Sequence, residues 1–140
     1  MSKKIDIGYS FEESRIFSEA ELKNMAKECG DLNFIHHDTL RANETRFDGI
    51  IASGSAISAL FSALIPTHFS HISPMLGLEM SFKFPAPIKP NVNVSMIWAV
   101  SDIQEKPAAG TIVNLKGIIK DNEDQILVVG TAKILLLAKL

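Results

Sequence analysis

Ser53-Gly54-Ser55-Ala56-Ile57-Ser58-Ala59-Leu60-Phe61-Ser62-Ala63-Leu64-Ile65 carries no charged side chain. Its apolar residues reach round most of a helical cylinder, and its only polar side chains are serines. A helix that is apolar on nearly every face is a buried one. The serines are small enough to let neighbouring backbone approach, and each can bond the carbonyl one turn back. Ser53 suits the N-cap. Pro66 is expected to end the helix at Ile65, because it has no N–H and its ring meets the preceding turn.

Downstream of this helix the hydrophobic period changes to two. Leu76, Leu78, Met80, Phe82 and Phe84 alternate with Gly77, Glu79, Ser81 and Lys83, and Pro85-Ala86-Pro87 closes the run. Val92, Val94, Met96, Trp98 and Val100 form a second alternating row. Residues 111–120 and 125–139 read as two more strands, joined by Asp121-Asn122-Glu123-Asp124. Such alternation predicts an antiparallel meander with one face on a core. The last strand is apolar on both faces at Ile134-Leu135-Leu136-Leu137, which suggests a subunit interface. Gly77 and Gly117 read as points of close packing within strands. One buried helix and a sheet of at least four strands combine most economically as α+β, with the antiparallel sheet wrapped around the helix.

Upstream, Ser18-Glu19-Ala20-Glu21 is a capping box. Leu22, Met25, Ala26 and Cys29 follow at the spacing of one helix face, and Gly30 supplies a left-handed stop. Asp31 therefore opens a loop that leaves a packed helix. Asp38 or Thr39 is placed to cap a short helix ending by Thr45, and Asp48-Gly49 is a turn. Tyr9 to Phe17 reads as extended.

The length of 140 residues fits one domain, residues 1–140, and 46% hydrophobic residues can build its core. The net charge of -2 and a pI near 6.1 leave no basic patch for nucleic acid, and Lys3-Lys4 is too short for a binding tail. Cys29 is the only cysteine, so no intrachain disulfide can form. The first residues lack a signal-peptide core, and the longest apolar run, Ile134 to Ala138, cannot span a bilayer. A cytoplasmic protein with no membrane partner is the expectation.

The chemistry concentrates in Gly30-Asp31-Leu32-Asn33-Phe34-Ile35-His36-His37-Asp38. Asp31 and His36 lie five residues apart, close enough for a folded loop to aim both at one volume. A carboxylate with reference pKa about 3.9 beside an imidazole at about 6.5 can transfer protons near neutral pH. The pair could polarise one water. Gly54 would complement it: the first amides of a helix lack intrahelical partners, and a glycine lets an acyl group come close. Taken alone, Asp31 and His36 read more readily as a turn aspartate and a solvated histidine, because Asp-x4-His is a weak signal. A metal reading of His36-His37-Asp38 has little support, since adjacent residues point apart and His68 and His71 belong to another loop. Ser62 reads as a core serine, as no nucleophile elbow surrounds it.

The ordered set Cys29 to Asp38, Ala42, Phe47, Ile50, Ser53-Gly54, Leu60-Phe61-Ser62, Ser81 to Pro85 and Glu105-Lys106-Pro107 resembles the MaoC-like (R)-specific enoyl-CoA hydratases. The likeness runs from about Phe17 to the end of the chain. It implies a hot-dog fold, in which the sheet wraps a long central helix, and a homodimer. It implies reversible syn hydration of a trans-2-enoyl-CoA to an (R)-3-hydroxyacyl-CoA, with no metal or redox cofactor. Asp31 and His36 match the catalytic dyad, with the division of proton transfers left open. Gly54 matches the amide donor to the thioester oxygen, Asn33 a residue shaping the site, and Ser62 a serine that supports the loop. Two positions depart from the pattern. Phe34 replaces a proline, and Ser53 replaces a histidine whose supporting role is lost. Ile65 lies roughly 16 Å beyond Gly54 at about 1.5 Å rise per residue, and is expected to limit the acyl tail.

Three other activities compete with the hydratase. A 3-hydroxyacyl dehydratase would run the same chemistry on acyl carrier protein. A hot-dog thioesterase would need a carboxylate on the central helix, and residues 53–65 contain none. A non-catalytic acyl-thioester-binding subunit would not require Asp31, Asn33 and His36.

Overall fold

A computed structural model describes residues 5–138. Lys3-Lys4 and the strand position at Lys139 lie outside the described residues. The order is β1 (Ser10–Ile16), α1 (Glu19–Cys29), a 3-10 turn (Phe34–His36), α2 (Thr39–Asn43), α3 (Gly54–Phe69), β2 (Met75–Lys83), β3 (Asn93–Lys106), β4 (Gly110–Asp121) and β5 (Ile126–Leu137). The strands form one antiparallel sheet in the order β1-β3-β4-β5-β2. This is the α+β hot-dog architecture, with α3 against the sheet's inner face. No described helix is long and apolar enough to cross a membrane.

Local signals set the helix ends. Ser18 Oγ accepts from the Glu21 amide and Glu21 Oε1 accepts from the Ser18 amide, both at 3.1 Å. Such a cap contributes about 1 kcal/mol. Gly30 sits at φ 81°, and the Asp31 amide returns to the Ala26 carbonyl at 2.9 Å. Asp38 caps α2 through the Arg41 amide, and the turn at Asp48-Gly49 has positive φ at both residues.

Helix α3 departs from expectation at both its end and its surface. It runs through Pro66 to Phe69. Proline removes one bond, to the Ser62 carbonyl, on a partly open face. Burial of the next turn outweighs that loss: Phe69 is fully buried and meets Phe11 edge-on at 5.7 Å. His68 stacks on Phe11 at 4.0 Å and bonds the Tyr9 hydroxyl at 2.7 Å. The buried stripe is Ile57, Phe61, Ile65 and Phe69, one residue per turn. The opposite face, with Ala59, Leu60, Ala63 and Leu64, lines an open apolar groove beside Met25 of α1. The expected burial on nearly every face is therefore not reached within one chain.

The sheet also corrects two expectations. Only β3, β4 and β5 form a meander; β2 crosses to the far edge and pairs with β5, so β2 and β3 are not neighbours. The alternating row of β2 breaks at a register shift between Gly77 and Glu79. A bulge inserts one residue and reverses the facing of what precedes it. Leu76, Leu78 and Met80 are left about half exposed.

A row of cross-strand partners explains how α3 is seated. Phe11, Trp98, Gly117, Gly130 and Phe82 lie opposite one another across the five strands. Trp98 is fully buried, stacks on Phe61 of α3 at 4.3 Å and donates from Nε1 to the Phe61 carbonyl at 3.0 Å. The indole lies over the two glycines. A Cβ on Gly117 would stand 2.5 Å from Trp98 Cε3 and 2.8 Å from Phe61 Cζ, and one on Gly130 would stand 2.9 Å from Trp98 Cη2. Gly117 is thus a point of close packing as expected, and Gly130 is a second; Gly77 has nothing within 4 Å of such a Cβ.

Candidate active site

Three short interactions shape the loop between α1 and α2. Asp31 Oδ1 accepts from the Asn33 amide at 3.1 Å. Asn33 caps the 3-10 turn, its Oδ1 accepting from the Ile35 amide at 3.4 Å. His37 Nε2 donates to the Asp31 carbonyl at 2.5 Å. The turn carries His36 inward, where its residue is 6% exposed. His36 Nδ1 donates to the Ile51 carbonyl at 2.8 Å, so the hydrogen of the neutral ring is on Nδ1. Nε2 then faces Asp31 Oδ2 at 3.3 Å. A carboxylate and a bare ring nitrogen are both acceptors. A water placed against the two can donate one O–H to each.

Ser53 joins this pair to α3. Its Oγ donates to Asp31 Oδ2 at 2.6 Å and accepts from the Ala56 amide at 3.2 Å. The Ser53 hydroxyl holds the Asp31 carboxyl below its ordinary range; burial opposes this, while the Asn33 amide adds to it, as do His36 and His37 when their rings are protonated.

Next to the dyad is a cavity of about 410 Å³, lined by Asn33, His36 and Gly54 together with Ile35, Ile57, Phe84 and Val128. Gly54 is the first residue of α3, in the set of amides without an intrahelical acceptor. The Phe84 ring stands over it, 3.3 Å from where a Cβ would be, and is itself half exposed. The Ala52 amide donates to the Ile88 carbonyl at 2.9 Å, tying the approach to α3 to the cavity wall.

The structure brings four expected residues together, with Asn33, His36 and Gly54 on the cavity wall and Asp31 directly behind His36, and it adds Ser53 between Asp31 and the helix. Two others lie elsewhere. Ser62 Oγ donates to the Ala59 carbonyl of its own helix at 3.0 Å and makes no bond to the loop within the chain. Ile65 is buried in the core at 1% exposure and does not line the cavity, because its turn faces the sheet. Phe84, Ile57 and Val128 line the cavity instead. In the sequence, Phe84 reads as part of a strand row and Ser53 as a helix cap. The one signal at Ser53 is that it stands where the resembling family has histidine.

Residues 1–121 match the family described as MaoC like domain. The chain belongs to the MaoC-like domain family. This MaoC-like chain superposes on the R-hydratase PhaJ1 of Pseudomonas aeruginosa with a TM-score of 0.80 and 25% identity, covering 96% of this chain and 84% of that one. It superposes on the (R)-hydratase from A. caviae involved in PHA biosynthesis with a TM-score of 0.84 and 24% identity, covering 96% and 99%; at that identity the likeness concerns the fold. Over 65 residues the MaoC-like chain is 29% identical to a mitochondrial 3-hydroxyacyl-[acyl-carrier-protein] dehydratase of Arabidopsis thaliana. That match spans 46% of this chain and 39% of the relative's length.

Proposed function

We propose that this chain is a hydro-lyase that adds water reversibly across the double bond of a trans-2-enoyl thioester, giving the (R)-3-hydroxyacyl thioester, with coenzyme A as the carrier. One observation carries the reading: His36 Nε2 and Asp31 Oδ2 present two acceptors 3.3 Å apart beside an apolar cavity that also holds Gly54. A water donating to both is made more nucleophilic toward C3. The water's proton passes to the dyad, and the dyad returns a proton to C2, so the sum is one H2O added. The Gly54 amide would stabilise the negative charge on the thioester oxygen as the enolate forms. Asn33 supports the turn that presents His36, and the apolar lining receives the acyl chain. Nothing in this sequence of steps calls for a metal or redox cofactor.

The dehydratase direction on an acyl-carrier-protein thioester uses the same groups, and the Arabidopsis relative is named for that reaction. A thioesterase reading is weaker, because α3 carries no carboxylate to direct water at the thioester carbonyl. The proposed partner is a second copy of the chain, which would cover the open faces of α3 and β2.

The test is the decay of the conjugated enoyl thioester absorbance with crotonyl-CoA and with the same acyl group on acyl carrier protein. Decay with the wild type, and a drop of about 10³-fold or more in Asp31→Asn and His36→Ala, is expected. No decay on either carrier, from four-carbon to twelve-carbon chains, would sink the proposal.

A further inference from the structure

We infer that Ser53 is a positioning residue for the dyad: its hydroxyl holds the Asp31 carboxylate ionised and turned toward His36 Nε2, and so fastens the start of α3 to the proton-transfer pair. This deepens the hydratase reading and rests on it for its catalytic meaning.

The argument is one of donors and acceptors. Ser53 and His36 are the buried polar residues among those described, and Ser53 is only 1% exposed. Its hydroxyl has one hydrogen and two lone pairs. The Ala56 amide takes one lone pair in the N-cap. The hydrogen is directed to Asp31 Oδ2 at 2.6 Å, a length typical of a hydroxyl on a charged oxygen. Protonating Asp31 on that oxygen would turn a good bond into a clash of two hydrogens, or force the serine hydrogen toward Cys29 Sγ at 3.9 Å. Oδ1 is held separately by the Asn33 amide. The carboxylate is therefore fixed at both oxygens, and the plane so defined sets the 3.3 Å approach to Nε2.

The groups facing Asp31 are few. His36 and His37 come from the 3-10 turn and the residue after it, and Cys29, at the end of α1, faces the Ser53 hydroxyl and not the carboxylate. The first turn of α3 contributes no acidic residue.

The experiment follows the Asp31 carboxyl carbon by NMR titration and the pH profile of kcat/KM on crotonyl-CoA, for wild type, Ser53→Ala, Ser53→Gly and Ser53→Thr. Glycine is nearly as good an N-cap as serine, so it separates loss of the hydroxyl from loss of the cap. Alanine and glycine are expected to raise the Asp31 titration midpoint and move the acidic limb to higher pH. The sign follows because a carboxylate that has lost its donor holds its proton to higher pH. The rate should fall by up to about 10²-fold in kcat with KM changed less. Threonine should restore both the midpoint and the limb. An Asp31 that titrates in the ordinary carboxylate range in the wild type, or whose midpoint stays put when the hydroxyl is removed, overturns the inference. The first of these needs no variant to fold. A midpoint that moves in a protein that hydrates no enoyl thioester, on either carrier and from four-carbon to twelve-carbon chains, upholds the contact and defeats the hydratase reading instead.

Discussion

Phe34 stands where the resembling family has proline, and its surroundings show why the exchange is tolerated. It is the first residue of the 3-10 turn capped by Asn33, a position whose amide needs no intrahelical acceptor. Its ring gains a contact that proline could not make: Arg41 of α2 lies 4.0 Å above it. Such a contact contributes about 0.5–1 kcal/mol. Residue-level reading anticipated that Asp31 and His36 meet, because both are local to one loop. It failed for Ile65, where counting along the helix axis could not say which side the residue faces. A paired substitution separates the two cavity assignments. Phe84→Ala should widen the space over Gly54 and raise kcat/KM for longer acyl thioesters relative to crotonyl-CoA. Ile65→Ala should leave the chain-length profile unchanged and cost about 2–5 kcal/mol in stability. Profiles from four-carbon to twelve-carbon substrates, together with urea denaturation, check both halves; a longer-chain preference in Ile65→Ala would return that residue to the cavity wall.

At the scale of elements, caps were legible and interruptions were not. Ser18, Gly30, Asp38 and Ser53 all mark helix ends as their local chemistry requires. Pro66 does not, because the burial of Phe69 one turn later outweighs the single lost hydrogen bond. The β2 bulge is likewise invisible in an alternating pattern, since a bulge is a property of the pairing and not of one strand. The row across Trp98, Gly117 and Gly130 offers a stability test. Gly117→Ala forces a methyl into the Trp98 and Phe61 rings and should cost about 1–3 kcal/mol. Gly77→Ala has open space and should cost less than Gly117→Ala. Midpoints of urea unfolding at equal slope decide it; a neutral Gly117→Ala would mean the helix is not seated against that notch.

For the whole molecule, the uncovered apolar surface is the feature that a single chain leaves unexplained. Leu60 and Leu64 border an open groove, and Leu76, Leu78 and Met80 are half exposed on the edge strand β2. An apolar edge strand invites pairing or covering. The expected outcome is a dimer by analytical ultracentrifugation at micromolar concentration, shifted toward monomer by Met80→Lys or Leu64→Lys. A monomeric wild type would remove the second copy from the proposed function.

The amino-acid sequence by itself determined the element types, most helix ends, the α+β class and the loop that bears Asp31 and His36. These depend on periods, caps and spacings within a few residues. Tertiary structure alone decided that β2 joins β5, that α3 continues past Pro66, that Ile65 faces the sheet and Phe84 the cavity, and that Ser53 reaches Asp31. Each is a contact between residues distant in the chain. Its free energy comes from burial or hydrogen bonding that exists only once the sheet and helix have met, so no local pattern encodes it.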